Sequence, residues 1–174
     1  GTTGTQGGEM TFMSELVGNG ASGLPDWATV FLVSSGFTLS TATYSPLTGG
    51  ATTATVGHYI DGRYYQLAGA ALDWTLTLTN GEPGRFEWRA LGKHVAPTAV
   101  AVPAATRTDI QPPVFKGATF TIGGVAKRVP DVVITCNNTL TMLEDTTDAT
   151  GWFAACVVDR DIKIACSPDA LAFG

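Results

Sequence analysis

Leu72-Asp73-Trp74-Thr75-Leu76-Thr77-Leu78-Thr79 alternates apolar with polar side chains, and Arg85-Phe86-Glu87-Trp88-Arg89-Ala90 continues the alternation. A period of two marks a strand with one buried face. Between the two runs lies Asn80-Gly81-Glu82-Pro83-Gly84, a cluster of turn formers. With those five as the loop, Leu78 is expected opposite Phe86, Leu76 opposite Trp88 and Trp74 opposite Ala90. Every apolar residue then meets an apolar partner, and a one-residue slip would expose them all. The Thr, Arg and Glu face is expected to meet water or a polar partner.

Upstream, Asp61-Gly62 predicts a two-residue type I′ hairpin. It pairs Ile60 with Arg63, His58 with Tyr65 and Val56 with Leu67, and puts Tyr59 against Tyr64 on the other side. Further back, Pro25-Asp26 opens the one predicted helix, with Ser22 or Asp26 as candidate caps. Leu24, Trp27, Val30 and Phe31 form its expected apolar stripe, a core-facing one, and Gly36 its left-handed end. Glu9–Val17 reads as a strand, and Gly1–Gly8 as a mobile or inter-subunit arm.

Downstream, residues 93–113 contain Pro97, Pro103, Pro112 and Pro113 and read as a long irregular loop, a length usually tied to function. Strands are expected at Thr119–Ile122, after a Gly123-Gly124 turn at Val132–Cys136, at Gly151–Val158 buried on both faces, and around Ile162 and Ile164. The 174 residues suit a single domain, 1–174, and the class is all-β with one short flanking helix.

Charged residues are only 14% of the chain, against roughly 25% in typical soluble domains. A surface so poor in charge favours protein partners. The net charge of −5 and a pI near 4.8 argue against a phosphate grip, which needs clustered Lys and Arg. No apolar run approaches the ~20 residues of a membrane-spanning helix, and no signal peptide is evident. The chain opens without methionine, so a processed or truncated N-terminus is expected. Cys136, Cys156 and Cys166 lack CxxC spacing and read as reduced, buried thiols. Asn137-Asn138-Thr139 fits the glycosylation sequon, which matters only in a secreted eukaryotic chain.

Catalytic and metal chemistry find little support. His58 and His94 have no Cys or carboxylate at ligand spacing, and no Gly-x-Ser-x-Gly elbow is present. Gly4–Gly8 lacks a phosphate-loop lysine. Glu144, Asp145 and Asp148 lack calcium-loop spacing and read as a solvated acidic loop. Asp159 and Asp161 around Arg160 read as a charged turn. Trp74 and Trp88 fall in the apolar phase and are expected in the core, not on a sugar-stacking platform. The expectation is no catalytic, cofactor-binding or metal residue.

Several segments, taken together and in order, resemble the tail tube (major tail) proteins of long-tailed bacteriophages. They are Asp61-Gly62, Tyr65-Gln66-Leu67-Ala68-Gly69-Ala70, the Leu72–Leu78 strand, and Gly81-Glu82-Pro83-Gly84-Arg85-Phe86-Glu87-Trp88. Leu91-Gly92, Val95-Ala96-Pro97-Thr98, Pro112-Pro113-Val114-Phe115-Lys116-Gly117-Ala118 and Thr119-Phe120-Thr121-Ile122-Gly123-Gly124 follow. The helix ending in Ser35-Gly36-Phe37 is similar to that family's helix before its central sheet. The resemblance spans roughly Leu24 to Ile134, with His94 where an aromatic such as tyrosine is expected.

The resemblance implies a β-sandwich or partly rolled barrel that forms rings, commonly six-fold, stacked into a hollow tube. Its partners would be other copies of itself and other tail proteins, with DNA as non-specific passing cargo and no membrane segment. Its place would be the phage tail, after assembly in the bacterial host cytoplasm. Rival readings are a tail terminator, a tailocin or type VI-like tube, a monomeric carbohydrate-binding β-sandwich, and a small hydrolase.

Overall fold

The computed structural model describes residues 6–19, 23–41, 43–47, 52–104 and 110–168. The chain is all-β with one short helix, and its strands pair antiparallel throughout. In order, β1 is Gly7–Glu15, α1 Asp26–Ser34, β2 Phe37–Ser40, β3 Thr43–Pro46, β4 Ala54–Ile60 and β5 Arg63–Thr79. Then come β6 Arg85–Ala99, β7 Phe120–Ile122, β8 Val125–Lys127, β9 Asp131–Thr135, β10 Asn138–Glu144, β11 Trp152–Arg160 and β12 Lys163–Cys166. The main sheet runs β1-β6-β5-β9-β12, with β4 on the other half of the β5 edge.

The decisive alternation produces β5 and β6 with the predicted faces but not the predicted register. Leu76 pairs with Phe86, Trp74 with Trp88 and Leu72 with Ala90, two residues from the expected alignment. The connection is longer than the five turn formers. Leu78 and Thr79 have no partner in the β6 register, and Glu82 N donates back to the Thr79 carbonyl at 3.1 Å. On the other edge of β5, Leu78 and Thr79 pair with Val132 and Asp131 of β9. Pro83 bridges Val114, and the Gly84 carbonyl accepts from Leu16 N at 2.7 Å. A slip of two keeps every side chain on its face, so the hydrophobic pattern tolerates it.

The Asp61-Gly62 hairpin has the predicted register, including Tyr59 opposite Tyr64. Its φ values of 49° and 69° are those a type I′ turn requires. Residues 93–99, expected in a loop, extend β6 instead. Pro97 is tolerated because β1 pairs with β6 only as far as Lys93 and the β5–β6 ladder shifts register between Tyr64 and Gln66. Gly7 and Gly8 of the expected arm belong to β1; residues 1–5 lie outside the described residues.

Helix α1 starts after Pro25, which has no side-chain cap; Asp26 sits inside the first turn, where a carboxylate complements the helix dipole. Ser22 lies outside the described residues. Gly36 at φ 80° ends the helix in the predicted left-handed position. The stripe is rotated from the expected one. Ala28 and Leu32 are buried, with Leu24 and Phe31 against the core, while Trp27 and Val30 are 38% and 49% exposed.

Phe31 packs edge-on against Trp88 at 5.3 Å, Phe86 stacks on Trp88 at 4.8 Å, and Phe37 lies 5.9 Å from Trp74. Burial of each large aromatic contributes on the order of 3 kcal/mol. The sheet curls, so that Met10 Sδ of β1 meets His58 Nδ1 of β4 at 3.4 Å. The β10–β11 hairpin packs on the sheet at Gly69, where an added Cβ would lie 3.1 Å from Ala154 Cβ.

Candidate functional site

The residues tested for chemistry are scattered. His58 stacks on Tyr65 at 5.5 Å, and His94 lies opposite Leu67 in β6. Among the described residues no group of three or more His, Cys, Asp or Glu could hold a metal ion. No helix among them is long and apolar enough to cross a membrane. Trp74 and Trp88 are in the core, 9% and 2% exposed. Cys136 is buried, whereas Cys156 and Cys166 are half-buried, correcting the expectation that all three are buried. Burial pushes the Cys136 thiol up to about 12.

Arg160 is not part of a charged turn. Its Nε donates to Asn138 Oδ1 at 2.9 Å and its Nη2 to the Ser35 carbonyl at 2.8 Å. The guanidinium stands 4.8 Å from the Phe37 ring centroid. These partners are distant in the chain, so no local pattern could reveal them.

What the fold does assemble is a set of surfaces. The first is the polar face of the main sheet. Glu15–Arg85–Thr77–Val133 and Met13–Glu87–Thr75–Thr135–Lys163 form rows across it. Arg89 lies between Thr11 and Asp73 and donates from Nη2 to Glu9 Oε2 at 2.8 Å. The bond from Arg89 holds the Glu9 carboxyl below the usual carboxylate range. The basic side chains thus sit among acids, in a mixed pattern.

The second is the sheet's free edges. Among the described residues β1 pairs only with β6, β12 only with β9, and β4 only with β5. Between β1, β4 and α1 an open groove of about 670 Å³ is lined by Met10, Phe12, Trp27, Val30, His58 and Tyr64.

The third is a pair of features on β10–β11 and β7–β8. In the β10–β11 turn, Asp145 Oδ1 accepts from Thr147 N and Oγ1, and Asp148 Oδ1 from Thr150 N and Oγ1. Lys93 Nζ donates to Asp148 Oδ2 at 2.7 Å. The Lys93 bond, then those from Thr150, hold the Asp148 carboxyl well below the usual range. Beside this turn the ladder shifts register between Leu143 and Glu144. The extra residue is Phe153, 65% exposed. The strand is therefore not buried on both faces as its sequence suggests, and Val158 is also 62% exposed. A bulge re-aims a side chain in this way; Trp152-Phe153-Ala154 gives no hint of it in sequence.

The β7–β8 hairpin, turned at Gly123-Gly124 as predicted, has Ile122 and Val125 exposed at 46% and 57%. Val132 returns to the main sheet as β9 and not as the partner of β7.

No protein-family model matches this chain, and neither does any curated protein or solved structure.

Proposed function

We propose that this chain is the repeating subunit of a bacteriophage tail tube, assembling with copies of itself into stacked rings around a lumen that DNA traverses. The observation that carries this reading is the open main sheet, with β1 at one end and β12 at the other, each paired on one side only among the described residues. An unpaired edge is a template for another strand, and ring closure removes it. The four steps from β1 to β12 are all antiparallel, so the two edge strands run in the same direction. Joining β12 of one copy to β1 of the next is then a parallel pairing.

The polar sheet face supports a lumen role. Arg85 lies beside Glu15, and Arg89 is bonded to Glu9. Phosphate meets no uncompensated cluster of cations there, and the net charge of −5 opposes adhesion. A sugar-binding sandwich needs an exposed aromatic platform, and the two tryptophans that would supply it are in the core. A tail terminator, tailocin or type VI-like tube shares the assembly reading and is separated from it by imaging the native particle.

Negative-stain electron microscopy with sedimentation velocity, across a concentration series, tests the proposal. Rings or hollow tubes are the expected result. A monomer at every concentration would overturn it.

A further inference from the structure

The acidic chain keeps one basic stretch. Residues 110–130 contain Lys116, Lys127 and Arg128 and no Asp or Glu, in a chain with 10 Lys and Arg against 15 Asp and Glu. All three basic side chains are exposed. The stretch includes the β7–β8 hairpin, with its exposed Ile122 and Val125. Its roots are fixed at one end of the main sheet. Phe115 N donates to the Glu82 carbonyl, Gly81 N to the Phe115 carbonyl and Asn80 N to the Pro130 carbonyl, at 2.9 to 3.0 Å.

A surface of opposite charge lies farther along the same sheet. The β10–β11 turn is anchored at Lys93 and Gln6, by the Asp148 pair and by Gln6 N donating to the Thr150 carbonyl at 3.1 Å. Glu144 and Asp145 lie there beside the exposed Leu143 and Phe153. Arg85 and Lys93 mark the two levels on β6, roughly 26 Å apart at about 3.3 Å per residue. One surface is apolar and basic, the other apolar and acidic, and they occupy different levels of one domain.

From this we infer that the 110–130 arm of one copy docks on the Leu143, Phe153, Glu144 and Asp145 surface of a second copy, in a head-to-tail contact. The inference rests on the self-assembly reading above and assigns its axial interface. Two complementary but different patches on one chain make a heterologous contact, which does not stop at a dimer, and patches at different levels along the strands direct it along the strand axis as a stack. Phe153 is the apolar anchor and the charges set the orientation, as aromatic hot spots and charged rims do in other interfaces.

Zero-length carbodiimide cross-linking of a mixture of ¹⁴N- and ¹⁵N-labelled full chains tests it, with the links mapped by mass spectrometry. Mixed-isotope links from Lys116 or Lys127 to Glu144 or Asp145 are expected. The Glu144→Lys/Asp145→Lys double variant should raise the concentration for assembly at least tenfold. Combining it with Lys116→Glu/Lys127→Glu/Arg128→Glu should restore assembly. Multimers whose links map elsewhere would overturn this interface and leave the proposed function standing. A wild-type chain that remains monomeric would overturn both.

Discussion

Asn138 Nδ2 donates to the Ser35 carbonyl at 2.9 Å, joining the start of β10 to the end of α1 across most of the chain. The same amide donates to the Leu72 carbonyl at 2.9 Å, on the β5 edge between its β9 and β4 partners. Asn138 is 5% exposed, so these carbonyls have no easy access to water. Asn138→Ala should destabilise the protein by about 2–4 kcal/mol, because it orphans the Leu72 carbonyl and the Arg160 Nε donor together and leaves the Ser35 carbonyl with Arg160 alone. Urea unfolding measures it. A loss under roughly 0.5 kcal/mol would mean that the cluster is not stabilising.

Gly69 is held by both backbone and space. Its φ is 57°, and an added Cβ would lie 3.1 Å from Ala154 Cβ and 3.3 Å from Ala154 Cα. Gly69→Ala should cost about 1–3 kcal/mol through left-handed strain and displacement of β11. Gly62→Ala is the control. Its φ is 69° but nothing lies within 4 Å of the added carbon. The difference between the two melting curves isolates the contact from the strain.

How much of this was legible in sequence follows the range of the forces. The Asp61-Gly62 hairpin could be aligned residue by residue because a two-residue turn fixes register locally. The Leu72–Ala90 ribbon showed its faces but not its alignment, since the connection from Leu78 to Gly84 is held by the distant Pro130, Phe115, Val114 and Leu16 and is longer than its turn formers suggest. Pro97 suggested a loop, and the end of β1 together with the shift in the β5–β6 ladder leaves a proline room there. The charge of residues 110–130 was readable in the sequence; its distance from Glu144 and Asp145 was not, because it depends on which strands carry the two turns. Arg160 gave no signal, its partners being remote in sequence.

Asp148 makes stability pH-dependent. Its folded carboxyl titrates below its ordinary value because Lys93 and Thr150 bond to the ionised form. A depressed carboxyl stabilises the fold above its unfolded value, near pH 4, and that contribution is lost as pH falls through the lower folded value. The melting-temperature gap between wild type and Asp148→Asn should be constant from about pH 7 to 5 and shrink below about pH 4. A gap that does not change with pH would show that the pair contributes nothing through ionisation.

Cys136 should be chemically silent in the folded protein. It is fully buried, and burial raises its thiol to about 12, so thiolate, the reactive form, is scarce at neutral pH. A thiol reagent at pH 8 should leave Cys136 unlabelled until denaturant is added, while the half-buried Cys156 and Cys166 are modified earlier. Peptide mapping of the labelled protein decides it, and early modification of Cys136 would mean that the β9 end opens readily.

The polar sheet face offers the most direct functional test. Glu15 and Glu87 are exposed acids in its rows. Neutralising them as Glu15→Gln/Glu87→Gln leaves Arg85, which stands between Glu15 and Thr77, with less compensation. Exposed substitutions of this kind should change stability by no more than about 0.5 kcal/mol each, so assembly itself should survive. If this face lines a DNA-conducting lumen, the less compensated Arg85 attracts phosphate, and DNA ejection from particles carrying the variant slows. Raising the salt concentration should reduce that slowing, because screening weakens the attraction. Unchanged ejection from intact variant particles would turn the polar face away from the lumen and leave the opposite side of the subunit to line it.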